Sequence, residues 1–264
     1  MKWALILGCS SGFGGATTTE LARRGFNIFG VHLDRKVTIE MAEKIKKEAE
    51  SYGSLVYFFN ENAANHETIK KVVAFIKDKF VEMDIKEEEK KIDLFFHSLA
   101  FGALREFFPK VKEERITKEQ LEMTIDVMGN SLVYWTQELF YNGLLKYGSR
   151  IFAMTSSGTS RAWHSYGAVS AAKCVLESHI RQIALELAPY GITANAIRAG
   201  VTETPALKKI PGWETMLERA KESNPSRRIT TPQDVARAIY ALSLSETQWM
   251  TGNVIGVDGG EILT

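Results

Sequence analysis

The sequence predicts a doubly wound α/β fold, a mostly parallel seven-stranded sheet with helices on both faces. Short apolar runs alternate with longer segments of helical period along the chain, a glycine turn joins the first run to the first helix, and no Pro/Gly/Ser-rich linker interrupts the alternation. Repeated strand–helix–strand units set the strands side by side in parallel and cover both sheet faces with helices. The 264 residues support a sizeable core, and α/β units of about 250 residues commonly form one domain. A single domain over residues 1–264 is the expectation.

The first strand is residues 3–7, where a lysine precedes five apolar residues that stop at Gly8. That run is too short for a secretory leader and far short of the ~20 residues that span a bilayer. A glycine turn then opens a helix over 14–24. Strands at 27–32 and 55–59 alternate with helices over 37–50 and 66–81, and the charge run Glu87-Glu88-Glu89-Lys90-Lys91 reads as a solvated helix end before the strand at 92–97. Thr117-Lys118-Glu119-Gln120 is a capping box that starts a helix over 117–146. A strand at 150–154 leads to a helix over 166–188, whose Val169, Ala172, Leu176, Ile180, Ile183 and Leu187 form one apolar face destined for the sheet or a neighbouring subunit. After a strand at 192–197, residues 203–230 break the alternation with Pro205, Pro211, Pro225 and a short helical stretch. An insertion past the carboxyl end of a strand reads as a substrate-binding loop. Thr231-Pro232 supplies an N-cap and a proline at the first helical position, and 254–257 is the last strand.

Charge and cysteine content narrow the possibilities. Lys+Arg 33 against Asp+Glu 32 gives a net charge of +1, so nothing global points to nucleic acid or to an anionic membrane. Two cysteines, Cys9 and Cys174, cannot form a disulfide framework and lack metal-ligand spacing. A soluble, cytoplasmic protein without a metal is expected.

In Gly8-Cys9-Ser10-Ser11-Gly12-Phe13-Gly14 the glycines permit a tight turn and close backbone approach to a pyrophosphate, which the N-terminus of the following helix attracts. Asn62-Ala63 follows the third strand, Ser98-Leu99-Ala100 the fourth, and Gly200-Val201-Thr202 with Thr204 the sixth, before a closing Val257-Asp258-Gly259-Gly260. In these motifs nearly the whole chain resembles the short-chain dehydrogenase/reductase family. The resemblance implies a Rossmann-type NAD(P) site in which Gly8, Ser10, Ser11, Gly12, Phe13 and Gly14 hold the pyrophosphate. Asn62 and Ala63 would border the adenine, Ser98, Leu99 and Ala100 the ribose, and Gly200, Val201, Thr202 and Thr204 the nicotinamide side. Asp34, about twenty positions past the glycines, suits a ribose 2′-hydroxyl, whereas His32 stands where many NAD-selective relatives have their acid, and Arg35-Lys36 suits a 2′-phosphate. NADH and NADPH both remain open.

The family usually carries a tyrosine four residues before its lysine, but here that position is Val169, and Tyr166 lies seven before Lys173. The wider spacing resembles the enoyl-acyl carrier protein reductase branch. Both spacings keep the two side chains on one helix face, and three extra residues move the hydroxyl ~4.5 Å along the axis. In ketone reduction the protonated oxygen sits on the carbon that receives hydride, whereas in enoyl thioester reduction charge appears on a carbonyl oxygen three bonds away. His97-Ser98, Arg161-Ala162, Ala199-Gly200 and Asn224-Pro225-Ser226-Arg227-Arg228 are similar to the same branch. Met128 stands at the place of the helix asparagine of the ketone-reducing relay. Ser156, in place of a second tyrosine, and the ordinary form of the glycine turn fit a divergent subtype.

The resemblance implies that Tyr166 hydrogen-bonds the thioester carbonyl and stabilises the enolate, while Lys173 holds the nicotinamide ribose and lowers the pKa of Tyr166, with Ser156 as a second donor. Trp163, Trp213, Ala206 and Leu207 line an acyl pocket or simply pack the core. His97 reads as a structural histidine, and Lys208-Lys209 and Arg227-Arg228 as a solvated face or a contact for an acidic carrier protein. The family commonly forms homotetramers through the helices at 117–146 and 166–188. The alternatives are a related reductase of ketones or dienoyl thioesters, against which Val169 and Met128 weigh for the ketone case, and a catalytically silent NAD(P) sensor, against which the retained Tyr166 and Lys173 weigh.

Overall fold

A computed structural model describes residues 1–264. Seven strands, β1 (Lys2–Leu7), β2 (Phe26–His32), β3 (Val56–Asn60), β4 (Leu94–His97), β5 (Arg150–Thr155), β6 (Thr193–Ala199) and β7 (Val254–Val257), form one sheet in the order β3-β2-β1-β4-β5-β6-β7. Every pairing is parallel, beyond the expected mostly parallel sheet. The order reverses between β1 and β4, which opens a crevice at the carboxyl ends of these two strands.

The central strands are continuous apolar runs because both of their faces are covered. In β1, Trp3, Leu5 and Leu7 enter one core and Ala4 and Ile6 the other, as the two-residue period requires. The larger core lies under α3 (His66–Glu82), α5 (Ser131–Tyr141) and α6 (Gly167–Leu187), through residues such as Val72, Trp135 and Ile180. The smaller one lies under α1 (Gly12–Arg23), α2 (Ile39–Ser51) and α8 (Pro232–Leu242), through Leu21, Ala49 and Ile239. All six residues of the apolar face expected on α6 are buried within the chain.

The segment at 117–146 is not one continuous helix. The capping box forms, and α4 (Lys118–Ile125) starts from Thr117, but a π-helical turn occupies Asp126–Asn130 before α5 resumes. Ser131 turns its hydroxyl back onto the Val127 carbonyl at 2.7 Å, a local bond that competes with the helical ladder. A Cβ on Gly129 in this turn would sit 3.0 Å from the side chain of Val175, so the bulge packs directly on α6. α5 then ends at Tyr141, where the left-handed Gly143 allows Leu144 N–H to bond Leu139 C=O at 2.9 Å and Gly143 N–H to bond Phe140 C=O at 2.9 Å. The insertion at 203–230 folds as a short 3-10 turn, Leu207–Lys209, and α7 (Trp213–Ser223). No helix is long and apolar enough to cross a membrane.

Candidate active site

The loops that follow β1, β2, β4, β5 and β6 gather at the crevice. Gly8 and Gly12 are left-handed, and a Cβ on Gly14 would overlap the Gly8 carbonyl oxygen. A Cβ on Gly8 would come within 2.6 Å of Ser98 O, so the glycine turn lies flat against the end of β4. Ser11 makes no side-chain cap and the first turn of α1 holds no acidic residue. The amides at that helix start therefore face the crevice without an internal anion.

At the end of β2 the Asp34 carboxylate meets His32 Nδ1 at 2.8 Å. Burial works against its charge, but hydrogen bonds from Ser10 and Thr38 and the His32 ring outweigh it and hold Asp34 below its ordinary range. Arg35 and Lys36 are exposed, and neither forms an ion pair with another residue of the chain. Beyond β3, Asn62 accepts Ala64 N–H on its side-chain Oδ1 at 3.0 Å and is otherwise exposed, while Ala63 is buried and its backbone carbonyl accepts the Trp135 indole N–H at 2.7 Å. Ser98, Leu99 and Ala100 lie just past β4, with Ser98 N–H bonded to Leu7 C=O at 3.0 Å.

Tyr166 sits at the start of α6, preceded by Ser165 with φ of 58°. A non-glycine residue in that region carries strain that its surroundings must hold. The Tyr166 hydroxyl is 3.4 Å from Ser156 Oγ, and the ring lies against Gly158, where a Cβ would be 2.7 Å from it. Burial holds the Tyr166 hydroxyl above its ordinary pKa, with the Ser156 hydrogen bond working the other way. Lys173 is buried and donates to the Met154 carbonyl at 2.7 Å. Burial lowers it to about 8, with Glu177 opposing. No hydrogen bond joins Lys173 to Tyr166 within the chain, the ammonium being tied to β5.

Val169, the position one turn along, is buried with Met128 and Ala172, and Tyr166 packs on this cluster. His97 is buried, with Nε2 at 2.8 Å from Ser131 Oγ. Ser131 spends its own proton on Val127, so Nε2 is the protonated nitrogen and Nδ1 has no protein partner. Burial, helped by the charge of Lys173, lowers the ring to about 3, which keeps it neutral. His97 is thus buried and neutral, and where a satisfied structural histidine was expected only one of its two nitrogens has a protein partner.

Past β6, Thr202 and Thr204 are buried. Thr202 Oγ1 donates to Gly200 C=O at 2.9 Å, and Thr204 Oγ1 accepts Leu207 N–H at 3.1 Å. The Thr204 methyl lies 3.5 Å from where a Gly12 Cβ would stand, which closes the crevice from the β6 side. Leu207 is buried, Ala206 half-buried, and Trp163 donates its indole N–H to Pro211 C=O at 3.3 Å, tying the β5–α6 loop to the insertion. Two neighbours were not anticipated from sequence. Phe107, in the long loop after β4, packs on Gly167, where a Cβ would come within 2.6 Å of its ring, and Glu261 reaches Val201 N–H at 2.9 Å. The aromatic run Phe101, Phe107 and Phe108 was the available signal for the first, whereas nothing local to Glu261 marks the second.

An uncapped helix start, a glycine cradle that side chains would fill, and a buried lysine with ammonium protons to spare fit a nicotinamide dinucleotide, NADH or NADPH. No cluster of His, Cys, Asp and Glu suits a metal ion. The fold and this site define a short-chain dehydrogenase/reductase, an oxidoreductase of the α/β type. The chain belongs to that family, and its residues 8–261 match the family model described as Enoyl-(Acyl carrier protein) reductase. It is 27% identical to the 1-cyclohexenylcarbonyl-CoA reductase of Streptomyces collinus over 97% of this chain and 85% of that protein. The crystal structure of the enoyl-[acyl-carrier-protein] reductase (NADH) of Aquifex aeolicus VF5 superposes with a TM-score of 0.82 at 25% identity, covering 100% of this chain and 97% of that one. LugOII, a promiscuous reductase that catalyses keto-reduction at C1 in lugdunomycin biosynthesis, superposes equally well, with a TM-score of 0.82 at 26% identity over 100% and 98% of the two chains.

Proposed function

We propose that the protein is an NAD(P)H-dependent enoyl thioester reductase of fatty acid biosynthesis, acting on a trans-2-enoyl group carried by acyl carrier protein or CoA. The observation that carries this reading is the placement of Tyr166 seven residues before the buried Lys173, with the intervening Val169 sealed into a small apolar cluster. The bound dinucleotide supplies hydride to the β-carbon. Tyr166, backed by Ser156 at 3.4 Å, donates a hydrogen bond to the thioester oxygen as charge develops on it. Lys173 exchanges part of its bonding to Met154 for the ribose hydroxyls, and its charge favours the enolate and the ionised form of Tyr166. Gly8, Ser10, Ser11, Gly12, Phe13 and Gly14 bind the pyrophosphate, and the 203–230 insertion covers the acyl chain through its Ala206 and Leu207, with Trp163, bonded to Pro211, lining the same pocket.

A second reading, a ketone reductase, is favoured by Ser156 standing within reach of the tyrosine hydroxyl and by the likeness to LugOII. Cofactor oxidation with crotonyl-CoA against acetoacetyl-CoA, each with NADH and NADPH, separates the two. Faster turnover of crotonyl-CoA is expected, and faster turnover of acetoacetyl-CoA would reverse the assignment. Exposed Tyr134, Tyr141 and Leu185 on α5 and α6 suit assembly into a homotetramer through these helices.

A further inference from the structure

Residues 258–264 run behind the site and touch three of the segments that build it. Glu261 is buried, and its Oε2 accepts the Val201 N–H at 2.9 Å. The same oxygen would lie 2.7 Å from a Cβ on Gly200, and Thr230 Oγ1 2.5 Å, so the strand end can approach the carboxyl only as glycine. Arg161, five residues before Tyr166, donates to the backbone oxygens of Ile262 at 3.1 Å and Thr264 at 2.7 Å. Asn224, at the end of α7, donates to Asp258 C=O at 2.8 Å. A buried carboxyl is costly unless paired, and no cation is bonded to this one. Burial and the nearby Asp258 push it above its ordinary pKa, with the Val201 N–H and the charge of Arg161 working against them.

We propose that Glu261 is a positioning residue: its carboxyl fixes the turn at residues 200–204, and the Arg161 contacts beside it tie that turn to the loop bearing Tyr166. The nicotinamide end of the crevice and the Tyr166 hydroxyl thereby keep a set separation. This rests on the reading that residues 200–204 face the nicotinamide.

The test uses the full chain as E261A, E261Q and R161M. Dissociation constants for NADH and NADPH come from quenching of tryptophan fluorescence, kcat and KM from crotonyl-CoA turnover, and folding from circular dichroism and Tm. E261A removes the acceptor of a buried N–H, and about a ten-fold rise in cofactor Kd with a lower kcat and an unchanged KM for crotonyl-CoA is expected. E261Q keeps an acceptor and restores Kd to near the wild-type value. R161M lowers kcat while cofactor Kd and Tm hold. A wild-type Kd in E261A, or an E261Q as defective as E261A, overturns the proposal. If E261A does not fold, R161M decides, and an unchanged kcat there overturns it. Absence of crotonyl-CoA turnover in the wild type would defeat the enoyl reductase reading while leaving the Kd comparison to judge Glu261.

Discussion

Lys173 is a buried cation whose one hydrogen bond in the chain goes to a backbone carbonyl, and that partial satisfaction is what equips it for a ligand. Tyr166 is complementary, a hydroxyl kept neutral by burial with a single serine contact. On the proposed mechanism Tyr166→Phe removes the hydrogen-bond donor to the thioester oxygen and should cut crotonyl-CoA turnover by about 10²–10⁴, with cofactor Kd retained. Equal turnover in the mutant would remove Tyr166 from the chemistry. At the far end of the crevice, Asp34 is already occupied by His32, whereas Arg35 has no internal partner. Arg35→Ala should therefore lower kcat/KM with NADPH several-fold more than with NADH, because only the 2′-phosphate gains from the guanidinium. An unchanged ratio between the two cofactors would show that Arg35 stays in solvent.

The elements that position these residues differ in how far the sequence announces them. β1, the glycine turn and α6 are set by local pattern: an apolar run that stops at Gly8, glycines where the backbone must turn left-handed, and one apolar face in step with Tyr166 and Lys173. Gly14→Ala would drive a methyl group into the Gly8 carbonyl. It should cost more than about 2 kcal/mol of stability and abolish dinucleotide binding, which urea titration and fluorescence quenching would read. Wild-type stability would mean that the turn can open. The π turn in the α4–α5 segment, the pairing of His32 with Asp34 and the contact of Glu261 with Val201 were not legible. The π turn depends on Val175 behind Gly129 and the Glu261 contact on a partner sixty residues away, both chosen by tertiary packing, whereas His32 and Asp34, two residues apart, meet through the way the chain leaves β2. Phe107 was hidden for a related reason, since a loop without period gives no indication of which of its aromatics will turn inward.

Across the whole molecule, Lys173 couples folding and ligand binding to pH with opposite signs. Its folded pKa of about 8 lies below its ordinary value, so the unfolded chain holds the extra proton between the two. The cost of burying the charge is then fully present below pH about 8 and is relieved as pH rises toward ~10.4. Cofactor affinity moves the other way, because the ammonium that would grip the ribose is lost above pH about 8. Dinucleotide Kd should rise through that point while this group's penalty on Tm shrinks, and both trends should vanish in Lys173→Met. A Kd that stays flat in the wild type would detach the lysine from the ligand. The reversal of strand order has a consequence in time as well as in space. The glycine turn rests against Ser98, and β1 finds β4 only after two intervening strand–helix units have been made. In a chain made from its N-terminus, the glycine turn therefore lacks the Ser98 backbone it rests on until β4 has been synthesised.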